Sequence, residues 1–212
     1  MKNKNYGFLI ADADKADRVV FAKFLSSNMH AVNFEKDKEK DLGDYSMQLK
    51  TTENLNIFAI GHGYAEDKFI NEKGKEHTAV TVIEDVKECL DKLSTKVNVK
   101  LSERVRNFRL QACHQGGHAE KEADGIKKAL GEYNSAKPIT FSCPKHFSFL
   151  EKDKTSGDEK CYLDTDASSH KEYEEQKKNG TLKYGKSCTF ELSVKPEKTF
   201  EEVKKTDFGR GS

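Results

Sequence analysis

The sequence predicts a single α/β domain with a mainly parallel β-sheet that helices cover on both faces. The chain has 212 residues, which suits one substantial domain and is short for two. Short apolar runs of strand length alternate with longer segments whose apolar residues repeat at helical spacing. Strands that are separated by helices favour parallel pairing, because each parallel connection needs a crossover. We therefore expect one domain over residues 1–212.

The first part of the chain predicts two strands, a helix and a loop. "YGFLIADAD" at 6–14 predicts the first strand, and the helical spacing of apolar residues in 15–29 predicts a helix. Residues 30–55 are largely polar and charged and are predicted to form a loop. "IFAI" at 57–60 is a continuous apolar run, which is typical of a strand covered on both faces.

The middle of the chain predicts a hairpin, two helices and a strand. Residues 68–82 favour a small hairpin that turns at Lys73-Gly74. Residues 83–97 and 118–133 carry apolar residues at helical spacing and predict helices. "NFRLQAC" at 107–113 predicts a strand between them.

The last part predicts two further strands and a polar helix. "KPITFSC" at 137–143 is predicted to be a strand that opens at its proline, and "SCTFELSV" at 187–194 the last strand. Residues 149–162 are predicted to form a polar loop. Residues 166–180 predict a polar helix that ends at a glycine.

The charge balance and the cysteines limit the classes of function. The chain has 37 Lys and Arg against 36 Asp and Glu, so no global field attracts nucleic acid or an anionic membrane. The apolar runs are far below spanning length, which predicts a soluble protein. The five cysteines have no paired spacing, which indicates thiols in a reducing compartment. We expect the cytoplasm of the protein's own cell or, for a secreted effector, the host cytosol.

Two side chains with reactive groups each follow an apolar run. His62 lies between Gly61 and Gly63 after "IFAI", and Cys113 ends "FRLQAC". Reactive groups of parallel sheets gather beyond the carboxyl ends of the strands. We therefore expect neighbouring strands to bring the imidazole and the thiol to the same edge.

This pair is suited to nucleophilic catalysis. An imidazole raises the thiolate fraction of a nearby thiol, or takes its proton during attack and later returns it to a leaving amine. The main-chain N–H groups of Gly63 and Cys113 are the candidates for an oxyanion site. Gly116-Gly117 would let the chain after the cysteine fold away from the sulfur. The sequence thus predicts His62 and Cys113 as a catalytic dyad.

Gln111-Ala112-Cys113, with a histidine about 50 residues upstream, resembles the caspase-like cysteine peptidases. These include caspases, metacaspases, legumains, clostripain-like enzymes and bacterial toxin self-processing domains. The resemblance covers roughly residues 55–145, and the C-H-Q-G after Ala112 looks like the C-H-S-G of metacaspases. It implies a caspase-like fold and hydrolysis of a peptide or protein substrate without a cofactor. It also raises self-processing in a loop such as 151–160 and leaves a small activating ligand open.

The resemblance also bears on the substrate pocket. Gln111 stands where metacaspases carry an acidic residue, and glutamine cannot neutralise a buried charge. The charge of the pocket must then come from Asp12 and Asp14 after the first strand, or from Lys145 and His146 after "PITFSC". The second pair follows a proline-bounded turn, so we expect a small polar, apolar or acidic residue before the cut rather than arginine or lysine.

Two other classes of function stay open on the sequence alone. The first is a structural zinc site, because C-H-x3-H and C-x2-H are acceptable ligand spacings. Its ligands would be Cys113, His118, Cys143 and His146, with His114 as a further candidate. The second is a catalytically silent relative that uses the sheet edge to bind a partner protein.

Overall fold

The computed structural model describes residues 3–9, 29–33, 54–61, 69–70, 76–152 and 159–195. The strands in these ranges are β1 (Asn3–Leu9), β2 (Met29–Asn33), β3 (Asn54–Ile60), β4 (Phe69–Ile70), β5 (Glu76–His77), β6 (Val105–Gln111), β7 (Ile139–Pro144), β8 (Ser148–Lys152), β9 (Glu159–Asp164) and β10 (Thr189–Val194). The helices are α1 (Ala79–Val97), α2 (Gly116–Lys121), α3 (Ala123–Gly131) and α4 (His170–Asn179).

The main sheet has six strands in the order β10-β7-β6-β3-β1-β2. The pairs β1–β2, β1–β3, β3–β6 and β6–β7 are parallel, and β10 runs antiparallel to β7. The prediction of an α/β fold with a mainly parallel sheet is therefore confirmed. Two small antiparallel pairs, β4–β5 and β8–β9, lie outside this sheet.

Buried side chains alternate with less buried ones along the central strand β3 and place the core on one face of the sheet. Ile57 and Ala59 of β3 are buried and stand opposite Phe108 and Leu110 of β6, so these four side chains share one face of the sheet. Buried residues of α1 and α3 belong to the same apolar cluster. Burial of such side chains stabilises the fold by about 1.5–3 kcal/mol each before the loss of chain entropy is counted.

The start of α1 differs from the prediction. Thr78 caps the helix, and its hydroxyl accepts from the Thr81 main-chain nitrogen at 3.3 Å while the Thr81 hydroxyl accepts from the Thr78 nitrogen at 2.8 Å. This reciprocal cap begins the helix at Ala79, so residues 79–82 belong to α1 and not to the predicted hairpin. The hairpin itself is confirmed as the short ladder of β4 and β5.

Two segments that were predicted to be loops contain strands. β2 lies partly within residues 30–55, and β8 and β9 pair across the polar segment 148–164. The prediction was wrong there because main-chain hydrogen bonds to another strand, rather than an apolar run, create these ladders. The helix predicted over 118–133 is divided into α2 and α3 at Glu122.

The remaining predicted elements either form as predicted or lie outside the described residues. The polar helix α4 ends at Gly180, whose φ of 68° is left-handed, and β10 forms as predicted. The helix predicted over 15–29 lies outside the described residues except for Met29, which begins β2. Among the helices of the described ranges, none has both the length and the apolar character to cross a bilayer.

Candidate active site

The site lies where β3 and β6 end side by side. Ile60 pairs with Gln111 in the parallel register, and the Gly61 N–H donates to the Gln111 carbonyl at 3.2 Å. The prediction that the apolar runs before His62 and Cys113 are neighbouring strands is confirmed. His62 and Gly63 lie outside the described residues, as do the pocket candidates Asp12 and Asp14.

Cys113 follows β6 by two residues and is half-buried. Its sulfur contacts Ser148 at the start of β8, where the main-chain nitrogen lies 3.5 Å and the carbonyl oxygen 3.7 Å from Sγ. Burial raises the pKa of the Cys113 thiol, the Ser148 hydrogen bonds oppose that rise, and the charge of Asp164 adds to it. A thiol whose pKa lies above its ordinary value needs a base for attack at neutral pH.

The chain after Cys113 is held tightly against the segment after β7. His114 has a left-handed φ of 63°, and its N–H donates to the His146 carbonyl at 2.8 Å. A Cβ on Gly116 would lie 2.7 Å from the Cα of Lys145, so only glycine allows this approach. Gly116 thus packs two loops together, whereas the predicted role was to fold the chain away from the sulfur.

The side chains of Lys145 and His146 are exposed beside this loop. The Lys145 N–H donates to the Cys188 carbonyl at 2.9 Å, which joins the segment to the turn before β10. His146 also lowers the pKa of His114, after the larger effect of burial. These two pocket candidates are therefore brought near the chain that carries Cys113.

Gln111 is in a different position from an open pocket residue. It is only 2% exposed, and both ends of its amide are hydrogen-bonded inside the protein. Its Nε2 donates to the Ser148 hydroxyl at 2.6 Å, and its Oε1 accepts from the Arg109 Nε at 2.9 Å. Within the described residues, this amide is bonded to the protein itself and faces inward.

A partly buried ion pair continues this network. The Arg109 guanidinium donates to one carboxylate oxygen of Asp164, and the Thr189 hydroxyl donates to the other. Sequence reasoning missed Arg109, Ser148 and Asp164 as residues of the site. Arg109 and Gln111 are two residues apart on β6, so their side chains lie on the same face, and this spacing was an available signal. Ser148 and Asp164 gave no such signal, because they lie beside the segment 149–162 that was predicted to be a loop.

The alternative zinc ligands are not brought together. All of the proposed ligands lie within the described ranges, yet no group of three or more His, Cys, Asp or Glu side chains there is arranged to hold a metal ion. Cys143 is fully buried, and burial raises its pKa to about 12. Among the cysteines with described side chains, Cys113, Cys143 and Cys188 are free thiols.

Comparison with family models and with curated proteins gives no match. The chain matches no model of a known protein family, and no curated protein is detectably similar to it. The functional argument therefore depends on the residues and their geometry.

Proposed function

We propose that the chain is a caspase-like cysteine endopeptidase that uses Cys113 as nucleophile and His62 as base. The observation that carries this proposal is the parallel pairing of β3 with β6, which are the strands that precede His62 and Cys113. A half-buried thiol with a raised pKa would need this base, which removes the proton as attack begins.

The proposed reaction has two steps. His62 takes the thiol proton while the Cys113 sulfur bonds to the peptide carbonyl carbon, and the N–H groups of Gly63 and Cys113 hold the resulting oxyanion. The C–N bond then breaks as His62 returns the proton to the leaving amine. Water next attacks the thioester, which releases the carboxylic acid and restores the thiol.

The same chemistry would allow self-processing. Residues 151–160 include the end of β8 and the start of β9, and β8 begins at Ser148 in contact with the Cys113 sulfur. The start of this hairpin is therefore close in space to the proposed nucleophile. A cut within 151–160 would be found as two fragments of the purified protein.

A catalytically silent binding module is the second candidate. The raised pKa of Cys113 favours this candidate, because burial stabilises the neutral thiol over the reactive thiolate. Labelling with a peptide-like electrophile separates the two candidates: a nucleophilic Cys113 bonds to it much faster than Cys89, which lies half-buried on α1. Equal labelling of the two thiols would favour the silent module.

The peptidase proposal is tested with a peptide library and mass spectrometric detection of cut sites. Cys113→Ala is expected to abolish cleavage, and the matched variant Cys89→Ala to retain it. His62→Ala should lower the rate by roughly 10²–10⁴-fold, and His62→Ala combined with Cys113→Ala should be no worse than Cys113→Ala alone. Cleavage by Cys113→Ala at the parent rate would refute the proposal.

A further inference from the structure

The residues around the Cys113 sulfur form a closed ring of contacts. Ser148 contacts the sulfur through its main chain and binds the Gln111 amide through its hydroxyl. Gln111 is held in turn by Arg109, and Arg109 is paired with Asp164. Asp164 stands opposite Ser148 in the β8–β9 ladder, which returns the ring to its start.

Gln111 is one of two β6 residues whose side chains join the strand of the nucleophile to the hairpin, and Arg109, which pairs with Asp164, is the other. Arg109 fixes the orientation of the Gln111 amide, because a guanidinium can only donate and therefore needs the amide oxygen at its end, while the Ser148 hydroxyl accepts from the NH₂ at the other end. Rotation of the amide by half a turn would place its NH₂ against the guanidinium and lose the bond to Arg109. The ion pair of Arg109 and Asp164 therefore fixes the amide, and the amide fixes Ser148.

We propose that Gln111 is a positioning residue that holds Ser148 so that its main-chain N–H stays directed at the Cys113 sulfur. This inference rests on the proposed function in one respect, namely that the Cys113 thiolate is the reactive species. It gives Gln111 a different task from the substrate contact that the family resemblance implies.

The electrostatics of the site show why such a donor matters. Burial and the negative charge of Asp164 on β9 both raise the pKa of the Cys113 thiol, and the Ser148 hydrogen bonds lower it. The positive charge of Arg109 on β6 is paired with Asp164, and His114, next to the thiol in sequence, has a lowered pKa and is neutral at pH 7. Among the described groups, Ser148 thus contributes most to favouring the thiolate, and the main-chain N–H of Cys113 itself adds a smaller effect.

The test is the pH dependence of Cys113 alkylation by iodoacetamide, measured by mass spectrometry with Cys89 as the internal reference thiol. The variants are Gln111→Met, which keeps the length of the side chain without its hydrogen bonds, Ser148→Ala, which keeps the main-chain N–H without its anchor, and the combination of both. The matched control is Asn107→Ala, which removes an exposed bond of 2.7 Å to Asn56 from the same strand.

Each single variant is expected to move the midpoint of Cys113 alkylation upward by about one pH unit, because a hydrogen bond to a charged group is weakened. The double variant should move it no further, since both changes break the same link. Asn107→Ala should leave the midpoint unchanged. Below the midpoint the rate should fall roughly threefold, since the higher nucleophilicity of a more basic thiolate offsets part of the tenfold loss.

An unchanged midpoint in folded Gln111→Met would overturn the inference, and where that variant does not fold, Ser148→Ala decides by the same readout. Alkylation needs no substrate, so the outcome is independent of the peptidase proposal. A shifted midpoint in a protein without peptidase activity supports the positioning role and overturns the function. An unchanged midpoint in a protein whose cleavage depends on Cys113 overturns the positioning role and supports the peptidase function.

Discussion

The main-chain nitrogen of Ser148 lies 3.5 Å from the Sγ of Cys113. This contact connects the end of β6 with the first residue of the β8–β9 hairpin, which belongs to no part of the main sheet. The candidate site is therefore a junction of the sheet edge with a separate hairpin. Its properties depend on how closely the intervening loops pack.

Gly116→Ala is expected to destabilise the protein, whereas Gly117→Ala is not. A Cβ at position 116 would lie 2.7 Å from the Lys145 Cα, and the backbone must move to admit it, which costs about 1–3 kcal/mol. A Cβ at position 117 meets no atom within 4 Å, and alanine favours the helix by up to about 1 kcal/mol. Urea unfolding of both variants measures the difference, and equal stabilities would show that the two loops are not in close contact.

Removal of the Cys143 thiol should matter less as the pH rises. Burial raises the pKa of Cys143 to about 12 from an ordinary value of 9.0, so the folded protein favours the protonated thiol. Its contribution to stability is fully present below about pH 9 and is lost progressively as the pH approaches 12. In this window the titration of Cys143 removes about 1.4 kcal/mol per pH unit from the stability of the parent protein, and Cys143→Ala lacks this loss.

The measurement is urea unfolding of both proteins in reducing buffer between about pH 7 and pH 10.5. Cys143→Ala should be less stable by about 1–2 kcal/mol at neutral pH, and the two free energies of unfolding should converge above pH 9. Other buried titrating groups, such as Tyr133, are common to both proteins and cancel in the difference. A difference that stays constant with pH would contradict the raised pKa.

Peptides with a small polar, apolar or acidic residue before the cut should be hydrolysed faster than those with arginine or lysine. Gln111 is bonded internally and Asp164 is paired with Arg109, so these groups leave no net negative charge for a basic side chain. Lys145 is exposed beside the Cys113 loop. Matched peptides with Asp, Asn, Ala, Leu, Arg and Lys at that position provide the measurement.

A charge reversal tests the source of this preference. Lys145→Glu should slow hydrolysis of the Asp peptide by roughly two- to fivefold, which is the range expected for an exposed charge pair. The control is Lys137→Glu, an exposed lysine that precedes β7 at the opposite end of that strand. A clear preference for arginine in the parent would instead indicate that Asp12 or Asp14 supplies the charge of the pocket.

The sequence by itself determined the fold class and the positions of the proposed dyad relative to the strands. Local sequence predicts buried strands as apolar runs and amphipathic helices as an apolar repeat of about 3.6 residues. The strands at "IFAI" and "FRLQAC" could therefore be recognised without knowledge of the strands that pair with them. The start of α1 was missed because Thr78 and Thr81 cap the helix through hydroxyl groups, which an apolar repeat does not reveal.

Only the tertiary structure decided how the surroundings of Cys113 are built. The β8–β9 ladder is made by main-chain hydrogen bonds between polar segments, and these bonds leave little trace in the order of side chains. The partner of Gln111 is Ser148, a residue beyond the next strand and its turn, and the partner of Arg109 is Asp164, further still along the chain. Such pairs form only when packing of the strands brings together residues that are far apart in the sequence. The Gln111 side chain, which was expected to face a substrate, is thereby turned into the interior.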